Sequence, residues 1–387
     1  MSGRRPTIFI SAAEASGDMH AARLMDALRE RLGEVDFVGV GGQAMANAGC
    51  RPAVEGLDLT GQASMLLRPL LNLGYYYRAI RRLGKAISEI RPDVHVPVDS
   101  PALNWHLATA ARKAGAKVAY YIAPQVWAWA PWRVKKLARI ADRVACILPF
   151  EQQWLAERGV SACYVGHPLM EQLPPRPGEP ADILGAWSQG NWKVALLTGS
   201  RSAEIRQHAP ALAAVAQQIK SRWPAATCTF AAKDAQAAET ICKAVGERLG
   251  EQADILPGRT DDLLAGSHFA VAVSGTVTLQ AAWFGVPMVI VYRTSRLGYH
   301  LLGRWLIRAP NLSLVNILAG RRMVPELMPW FGSPRALTEA VLEVMDDVGW
   351  LLETRQALTE IADSLRPPHG RSASQNAADV VAGLLDR

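Results

Sequence analysis

The chain lacks the features that place a protein among disulfide-stapled, zinc-binding or membrane-spanning classes. Its five cysteines (50, 146, 163, 228 and 242) are odd in number, widely spaced and form no CxxC pair. This spacing argues against a disulfide framework and a cysteine zinc site, and it suits a reducing cytosol. No uncharged apolar run reaches the roughly 18 residues that a spanning helix needs.

Histidine metal motifs and nucleic-acid-binding modules are missing as well. The eight histidines show no HxH or HExxH spacing, so no metal is expected. His167, within GHP, is more typical of a structured turn than of a catalyst. The net charge of +7 favours an anionic partner, either a phosphate-rich substrate or an anionic membrane. Nucleic acid ranks lowest because no recognition module is present.

What the chain does contain is an alternation of strand and helix patterns that occurs twice. The first series runs from the apolar stretch 7–13 to the stretch 162–168, and the second restarts at residue 193. We therefore predict an α/β protein with two Rossmann-like domains, each with a doubly wound parallel sheet, and a cleft between them. The predicted parts are 1–170, a linker over 171–192, a second domain over 193–365, and a C-terminal helix over 366–387 that returns to either half.

One loop of the second half has the composition of a phosphate site. Gly199, Ser200 and Arg201 follow an apolar strand pattern, and a helix is expected to begin there with Ser202 as N-cap and Glu204 close behind. Backbone N–H groups at a helix N-terminus bind phosphate well when a guanidinium lies beside them. An ordinary strand–turn–helix with a solvated arginine explains the same pattern equally well.

A second loop repeats the theme. Ser274, Gly275 and Thr276 follow a fully apolar strand pattern, and Gln280 lies one helical turn further on, where it can reach a sugar hydroxyl. Simple helix capping accounts for this loop alone. Two such loops at strand ends of one domain favour a nucleotide diphosphate.

The first half carries acidic residues where strand patterns end. Glu14 and Asp18 follow the first strand, and Asp99 follows the strand over 93–98. Ligands of open α/β sheets bind at the carboxyl ends of strands, so these carboxylates are candidates for acid–base chemistry. Asp18 is nearly as well explained as a helix cap in an Asx-type turn over 16–18.

The loop 123–133 is rich in tryptophan. Trp127, Trp129 and Trp132 precede Arg133, and such a loop either stacks on a sugar, faces a lipid or packs between domains.

The segment 64–87 carries five basic residues, three tyrosines and no acid. That composition is typical of an interfacial membrane helix, and equally of a basic helix whose apolar face joins the core. Pro69 and Gly74 are expected to break any single helix there.

In combination, the motifs resemble one family, the lipid-A-disaccharide synthases, which are inverting glycosyltransferases of the GT-B fold. The motifs occur in the family's order along most of the chain. They include EASGD (14–18), GVGG (39–42), VDSP (98–101), APQVWAW (123–129), VGHPL (165–169), GSRSAEI (199–205), SGTVTL (274–279) and NLSLVNILAG (311–320).

The resemblance implies a UDP-activated diacylglucosamine as donor and diacylglucosamine 1-phosphate as acceptor. The products are then a β-1,6-linked disaccharide and UDP. It implies no metal or other cofactor. It further implies a cytoplasmic protein at the inner-membrane surface of a Gram-negative-type bacterium, and a homodimer that involves the C-terminal helix.

The resemblance also assigns residues. The second domain is expected to hold UDP, with Arg201 and the loop 274–276 near the phosphates and Asn316 nearby. Arg201 and helix N-termini are expected to stabilise the leaving group. The first domain is expected to hold the acceptor at Ser16, Asn104 and Trp127.

The chain departs from the family's pattern at expected site positions. The family usually reads Asp-x-Pro-Asp/Glu-Phe-Asn where this chain reads DSPALN, so Ala102 stands in place of the favoured general base. Gln280 stands where glutamate is usual, and Ala13 where glycine is usual.

These departures leave three interpretations open. In the first, Asp99, Asp18 or Glu14 replaces the missing base. In the second, the chain is a divergent paralogue that binds a UDP-sugar or lipid without efficient transfer. In the third, it is another UDP-sugar enzyme on the same fold, such as a 2-epimerase or a different glycosyltransferase.

Overall fold

The structure, a computed structural model, describes residues 4–57, 59, 69–246, 253–293 and 311–385. It divides into two compact units, one of residues 1–171 with 365–387 and one of residues 172–364. Each unit has its own parallel sheet with helices packed on it, so the predicted α/β fold with two doubly wound sheets is confirmed.

The strands of the first unit are short and largely buried. They are β1 (Thr7–Ser11), β2 (Asp36–Val40), β3 (Arg51–Pro52), β4 (Val94–Pro97), β5 (Lys117–Tyr121), β6 (Arg143–Cys146) and β7 (Ala162–Tyr164). They form one seven-stranded parallel sheet in the order β3-β2-β1-β4-β5-β6-β7. Burial on both faces explains why β1 and β4 read as apolar runs.

Helices cover both faces of this sheet. They are α1 (Ala15–Leu32), α2 (Gln43–Asn47), α3 (Pro69–Ile90), α4 (Pro101–Lys113), α5 (Val126–Trp129), α6 (Val134–Ile140) and α7 (Pro149–Ala156). The apolar side chains of α3, α4 and α6 form one hydrophobic cluster, and those of α1 belong to another cluster on the opposite face.

The second unit has a six-stranded parallel sheet. Its strands are β8 (Lys193–Leu197), β9 (Thr227–Ala232), β10 (Asp254–Pro257), β11 (Phe269–Val273), β12 (Met288–Arg293) and β13 (Glu326–Trp330), in the order β10-β9-β8-β11-β12-β13. Its helices are α8 (Ile183–Gln189), α9 (Ser202–Arg222), α10 (Ala235–Val245), α11 (Thr260–Ala265), α12 (Val277–Trp283), α13 (Leu314–Ala319), α14 (Pro334–Asp346) and α15 (Val348–Ser364).

The C-terminal helix α16 (Ala373–Leu385) belongs to the first unit. Its buried residues Ala377, Ala378 and Val381 share a hydrophobic cluster with Leu24 and Leu28 of α1. An ion pair of 2.9 Å between Arg31 and Asp379 lies at the same contact.

Several local expectations differ from the structure. The prediction that Gly74 breaks the helix is wrong, because α3 is continuous from Pro69 to Ile90. Pro69 is the first residue of α3, and residues 64–68 of the predicted segment lie outside the described part of the chain. Proline is tolerated in a first helical turn, and an interior glycine costs only about 1 kcal/mol. The segment 171–192 contains α8, whose N-cap Asp182 accepts a hydrogen bond from the N–H of Gly185.

In each sheet the strand order reverses at one point. In the first unit the reversal lies between β1 and β4, and in the second it lies between β8 and β11. Loops that leave the carboxyl ends of the strands diverge there and open a crevice, which is where doubly wound sheets bind ligands. The two loops predicted to bind phosphate, and the acids Glu14 and Asp99, follow these four strands.

Candidate functional site

A pocket of about 500 Å³ opens at the switch point of the second sheet. Its lining includes eight of the nine residues predicted to bind the donor, from the loops after β8 and β11 and the helices that follow. They are Gly199, Ser200, Arg201, Glu204, Ser274, Gly275, Thr276 and Gln280.

The loop after β8 is shaped by Glu204. Gly199 has φ of +89°, and a Cβ there would lie 2.6 Å from Glu204 Oε2, so glycine fits and a side chain does not. The backbone N–H of Arg201 donates to Glu204 Oε2 (3.3 Å), and its Nη1 lies 2.9 Å from Oε1. Arg201 is thus the N-cap of α9, and the prediction that Ser202 is the N-cap is wrong.

Thr198 and Lys233 are among the pocket residues that the sequence analysis missed. Thr198 is buried, and its Oγ1 has no hydrogen-bond partner among the described residues, although it belongs to the pocket lining. Lys233 follows β9 and adds a second cation to that of Arg201. A polar residue directly after a buried strand is the signal that identifies both.

Gln280 and Asp261 form the polar patch of the pocket. The Gln280 side-chain amide donates to Asp261 Oδ1 at 3.3 Å. Burial raises the pKa of Asp261, and the Asp262 carboxylate raises it further. Amide and carboxylate oxygens side by side suit hydroxyl groups such as those of a ribose.

Asn316, the ninth residue, is fully buried within a polar cluster of its own. Its Oδ1 accepts from the N–H groups of Met323 and Val324, and its Nδ2 donates to Glu326 Oε2, each at 2.9 Å. Glu326 also accepts from the N–H of Ser313, the N-cap of α13. Within the described residues Asn316 therefore braces the loop before β13, and it is not part of the pocket lining.

Asp99 lies at the switch point of the first sheet in a strained backbone. Asp99 and Ser100 have φ of +49° and +45°, and Ile122 after the neighbouring β5 has φ of +55°. Residues with side chains seldom adopt this region, least of all β-branched ones. Such strain collects at functional sites because the surrounding structure must hold it in place.

The environment of Asp99 makes its carboxylate more basic. Burial raises the pKa of Asp99, the nearby Glu14 carboxylate raises it further, and a hydrogen bond from the Ser100 backbone opposes the rise. A carboxylate with a raised pKa accepts a proton near neutral pH more effectively than an exposed one. Ala102, in the first turn of α4, is exposed beside it.

Both carboxylate oxygens of Asp18 already accept hydrogen bonds from backbone N–H groups. Its Oδ1 accepts from the N–H groups of Gly42 (2.7 Å) and Met45 (3.1 Å), and its Oδ2 accepts from Ala44 (2.9 Å). Asp18 thus caps α2 from within α1, and the predicted Asx-type cap over 16–18 is wrong. Ser16 lies exposed in the first turn of α1, and Glu14 is the N-cap residue of that helix without a side-chain capping bond.

Asn104 is fully buried beneath the strained loop and holds it through the backbone. Its Nδ2 donates to the carbonyls of Val98 (2.9 Å) and Asp99 (2.7 Å), and the Tyr120 hydroxyl also donates to the Asp99 carbonyl (2.8 Å). Asn104 therefore holds Asp99 in position through the backbone, and its buried side chain presents no exposed face to an acceptor.

The chain of buried hydrogen bonds continues below Asn104. The Ser11 hydroxyl donates to Asn104 Oδ1 at 2.7 Å and lies 2.9 Å from His95 Nε2. Because the single hydroxyl proton goes to Asn104, His95 must donate from Nε2. His95 Nδ1 is buried without a partner in the described part of the chain. The sequence analysis predicted no role for His95 or Ser11.

His95 is expected to make the first unit sensitive to acid. Burial lowers its pKa to about 3, so folded protein keeps it neutral while the unfolded chain protonates near pH 6.5. The free energy of unfolding should therefore fall by about 2 kcal/mol between pH 7 and pH 5 on account of this residue. Urea unfolding of wild type and His95→Gln at both pH values measures it; equal pH dependence in both proteins would refute the assignment.

Trp127 is fixed by a buried acid. Its Nε1 donates to Glu151 Oε1 at 2.9 Å, and its ring packs edge-on against Phe150. Burial raises the pKa of Glu151, which also accepts from the N–H of Leu148 at 3.0 Å. Trp127 is half-buried, and Trp132 in the same loop is 54% exposed.

Comparison with known sequences gives matches along nearly the whole chain. The family described as Lipid-A-disaccharide synthetase matches residues 8–376. A lipid-A-disaccharide synthase of Myxococcus xanthus (strain DK1622) is 35% identical over 382 residues, which cover 98% of each chain. One of Anaeromyxobacter sp. (strain K) is 34% identical over 381 residues, covering 98% of this chain and 97% of the relative.

Solved structures share the fold at low sequence identity. The glycotransferase of kitacinnamycin superposes with a TM-score of 0.61 at 16% identity, covering 99% of this chain and 100% of the other. The S. aureus MnaA-UDP co-structure gives a TM-score of 0.57 at 12% identity, covering 99% and 96%. At these identities the likeness concerns the fold alone.

Proposed function

Because the chain belongs to the lipid-A-disaccharide synthase family, we propose that it joins UDP-2,3-diacylglucosamine to 2,3-diacylglucosamine 1-phosphate and releases UDP. The full-length match to the family confirms the resemblance drawn from the motifs. The protein is accordingly a glycosyltransferase of lipid A biosynthesis.

The pocket that follows β8 and β11 supports the proposal that the second unit binds the UDP-activated donor. It combines the α9 N-terminus, two cations and small residues at which a diphosphate can approach the backbone. Arg201 and Lys233 stabilise the negative charge that develops on the leaving UDP. Gln280 and Asp261 receive the ribose hydroxyls. The Thr198 hydroxyl, which has no partner among the described residues, is a further donor for a phosphate oxygen.

Asp99 is the general base in this proposal. The acceptor hydroxyl must lose a proton as it attacks the anomeric carbon, and Asp99 has the raised pKa that the step requires. Both oxygens of Asp18 are already used by backbone donors, so Asp18 acts on the structure of the loop. Glu14 acts on Asp99 through its charge, and Asn104 acts on it through the backbone. Ser16 and Trp127 contact the acceptor.

The 2-epimerase interpretation has weaker support than the transferase. UDP-N-acetylglucosamine 2-epimerases share the fold at 12–13% identity, which carries no function. The relatives at 34–35% identity over the full length favour the transferase.

The membrane and the dimer are further parts of the proposal. Among the described residues no helix is both long and apolar enough to cross a bilayer. We place a peripheral contact on α3, where Arg78, Arg81 and Arg82 are exposed and Tyr77 is 63% exposed. A homodimer through α16 follows from the family resemblance.

The decisive experiment supplies both substrates to the purified protein. We expect UDP release together with a disaccharide 1-phosphate detected by mass spectrometry, and loss of both when Arg201 is replaced by alanine. Absence of product at enzyme concentrations near those of the substrates would refute the transferase. UDP binding without product would favour the paralogue that binds but does not transfer.

A further inference from the structure

A second cavity, of about 460 Å³, lies on the first unit beside α4 and α6. It is lined by Thr109, Arg112, Lys113, Lys136, Arg139 and Ile140, so four of the six lining residues are cations and none is an acid. Arg112 pairs with Asp142 at 2.9 Å. In the described parts of the chain, no carboxylate forms an ion pair with Lys113, Lys136 or Arg139.

Cations that converge on one concave surface repel one another, and the repulsion grows where water is partly excluded. An anion in the cavity removes that cost. Planar guanidinium forks and compact ammonium groups together are the donor set that suits phosphate oxygens.

The positive charge belongs to one helical layer and not to the unit as a whole. Helices α3, α4 and α6 carry nine cations and one acid: Arg78, Arg81, Arg82, Lys85, Arg112, Lys113, Lys135, Lys136 and Arg139, against Glu89. On the opposite face, α1 and α16 carry three cations and four acids: Arg23, Arg29 and Arg31, against Asp18, Asp26, Glu30 and Asp379. General basicity of the protein does not produce such a contrast.

The cavity is separate from the acceptor site. Helix α4 begins at the carboxyl edge of the sheet beside Asp99 and runs back toward the amino edge. Its pocket residues lie in its last turns, roughly 15 Å along the helix from Pro101 at 1.5 Å per residue. The cavity therefore does not serve the reacting end of the acceptor.

We propose that this pocket is an anion site that binds a phosphate group, carried by a phospholipid headgroup or by a free phosphate ester. The exposed Trp132 precedes α6 in the chain, and aromatic side chains at such positions are favoured at a bilayer interface. The site is additional to the contact proposed for α3, and it does not depend on the transferase activity.

The test compares vesicle binding by full-length variants. Lys113→Gln, Lys136→Gln and Arg139→Gln are combined, and binding to phosphatidylglycerol/phosphatidylcholine vesicles is measured by sedimentation at low and high salt. Each basic residue at an anionic surface contributes about fivefold, so partitioning should fall by about 100-fold. A matched triple on the second unit, Lys243→Gln, Arg259→Gln and Arg335→Gln, changes the net charge equally and should bind as wild type does.

A second variant and a second ligand keep the test decisive. Lys136 also lies 4.7 Å from the Trp105 ring, so the pair Lys113→Gln and Arg139→Gln covers the case in which the triple unfolds. Glycerol phosphate without lipid is titrated while the melting temperature is followed. Loss of vesicle binding alone identifies a lipid headgroup, and loss of a glycerol phosphate stabilisation seen in wild type identifies a free ester. Variants that bind vesicles and glycerol phosphate as wild type does would refute the proposed anion site. Neither assay contains a sugar nucleotide, so the result does not depend on the transferase activity.

Discussion

Asp99→Asn is expected to lower kcat by roughly 10²–10⁴-fold, the range that removal of a general base usually gives. Asparagine keeps the size and the polar oxygen of the side chain but cannot take the proton of the acceptor hydroxyl. The donor pocket lies in the other unit and contains no part of Asp99, so UDP affinity should stay within about twofold. UDP release at saturating substrates measures kcat, and calorimetric titration with UDP measures the affinity.

Glu14→Gln is the matched control, because it removes the neighbouring carboxylate and leaves Asp99 in place. The Glu14 charge raises the pKa of Asp99, so its loss should lower that pKa. A base is active when ionised, and the acid limb of the kcat profile should therefore move to lower pH while maximal kcat changes little. Full turnover in Asp99→Asn would clear Asp99 of the role. A deep loss of maximal kcat in Glu14→Gln would transfer the role to Glu14.

The pocket residues of the second unit were largely predictable from sequence. An apolar strand that ends in Gly199 or in Ser274, followed at once by a helix, is a local pattern, and parallel topology places such strand ends at one edge. Lys233 and Asp261 were missed because they reach the pocket from the end of β9 and from α11, far along the chain from the loop after β8.

The first unit shows where local patterns mislead. Asp18 was predicted to lie where the first strand ends, but it lies in the first turn of α1, and its partners are 24 to 27 residues further along the chain, at the start of α2. Asn104 and Asn316 both stand in motifs that suggest ligand contact, and both are buried supports for a backbone. The hydrogen bond between Ser11 and His95 joins residues 84 positions apart on neighbouring strands, and neither residue forms a motif.

Ala102 and Asp99 differ in how much the surrounding structure supports them. It is exposed in the first turn of α4, so an acid at this position would need no support from the core. Asp99 has the opposite character, because its backbone is strained and held from below by Asn104 and Tyr120. We infer that a chain without an acid at position 102 depends on how firmly the loop of Asp99 is held.

Asn104→Ala is expected to reduce both the stability of the first unit and the rate of transfer. It removes the Asn104 donor of the Val98 carbonyl, leaves the Asp99 carbonyl with the Tyr120 hydroxyl as donor, and removes the acceptor of the Ser11 hydroxyl. A buried polar group left unsatisfied costs about 1–3 kcal/mol. We expect the free energy of unfolding to fall by about 3 kcal/mol. We also expect kcat to fall at least about tenfold with little change in KM, because a misplacement near 1 Å is enough for such a loss.

Asn376→Ala separates this positioning role from a general loss of stability. Asn376 is also buried, and its Nδ2 donates to two carbonyls, those of Val165 and Pro368, at 3.2 Å each. It lies on α16, and within the described residues its side-chain hydrogen bonds go to Val165 and Pro368 and none goes to the Asp99 loop, so its replacement should cost similar stability and leave kcat within about twofold. Urea unfolding and steady-state kinetics on both variants decide the question. Equal kcat in the two variants would show that the hydrogen bonds of Asn104 stabilise the fold without positioning the Asp99 carboxylate. A loss of kcat confined to Asn104→Ala would show that these hydrogen bonds keep the strained Asp99 loop in its catalytic position.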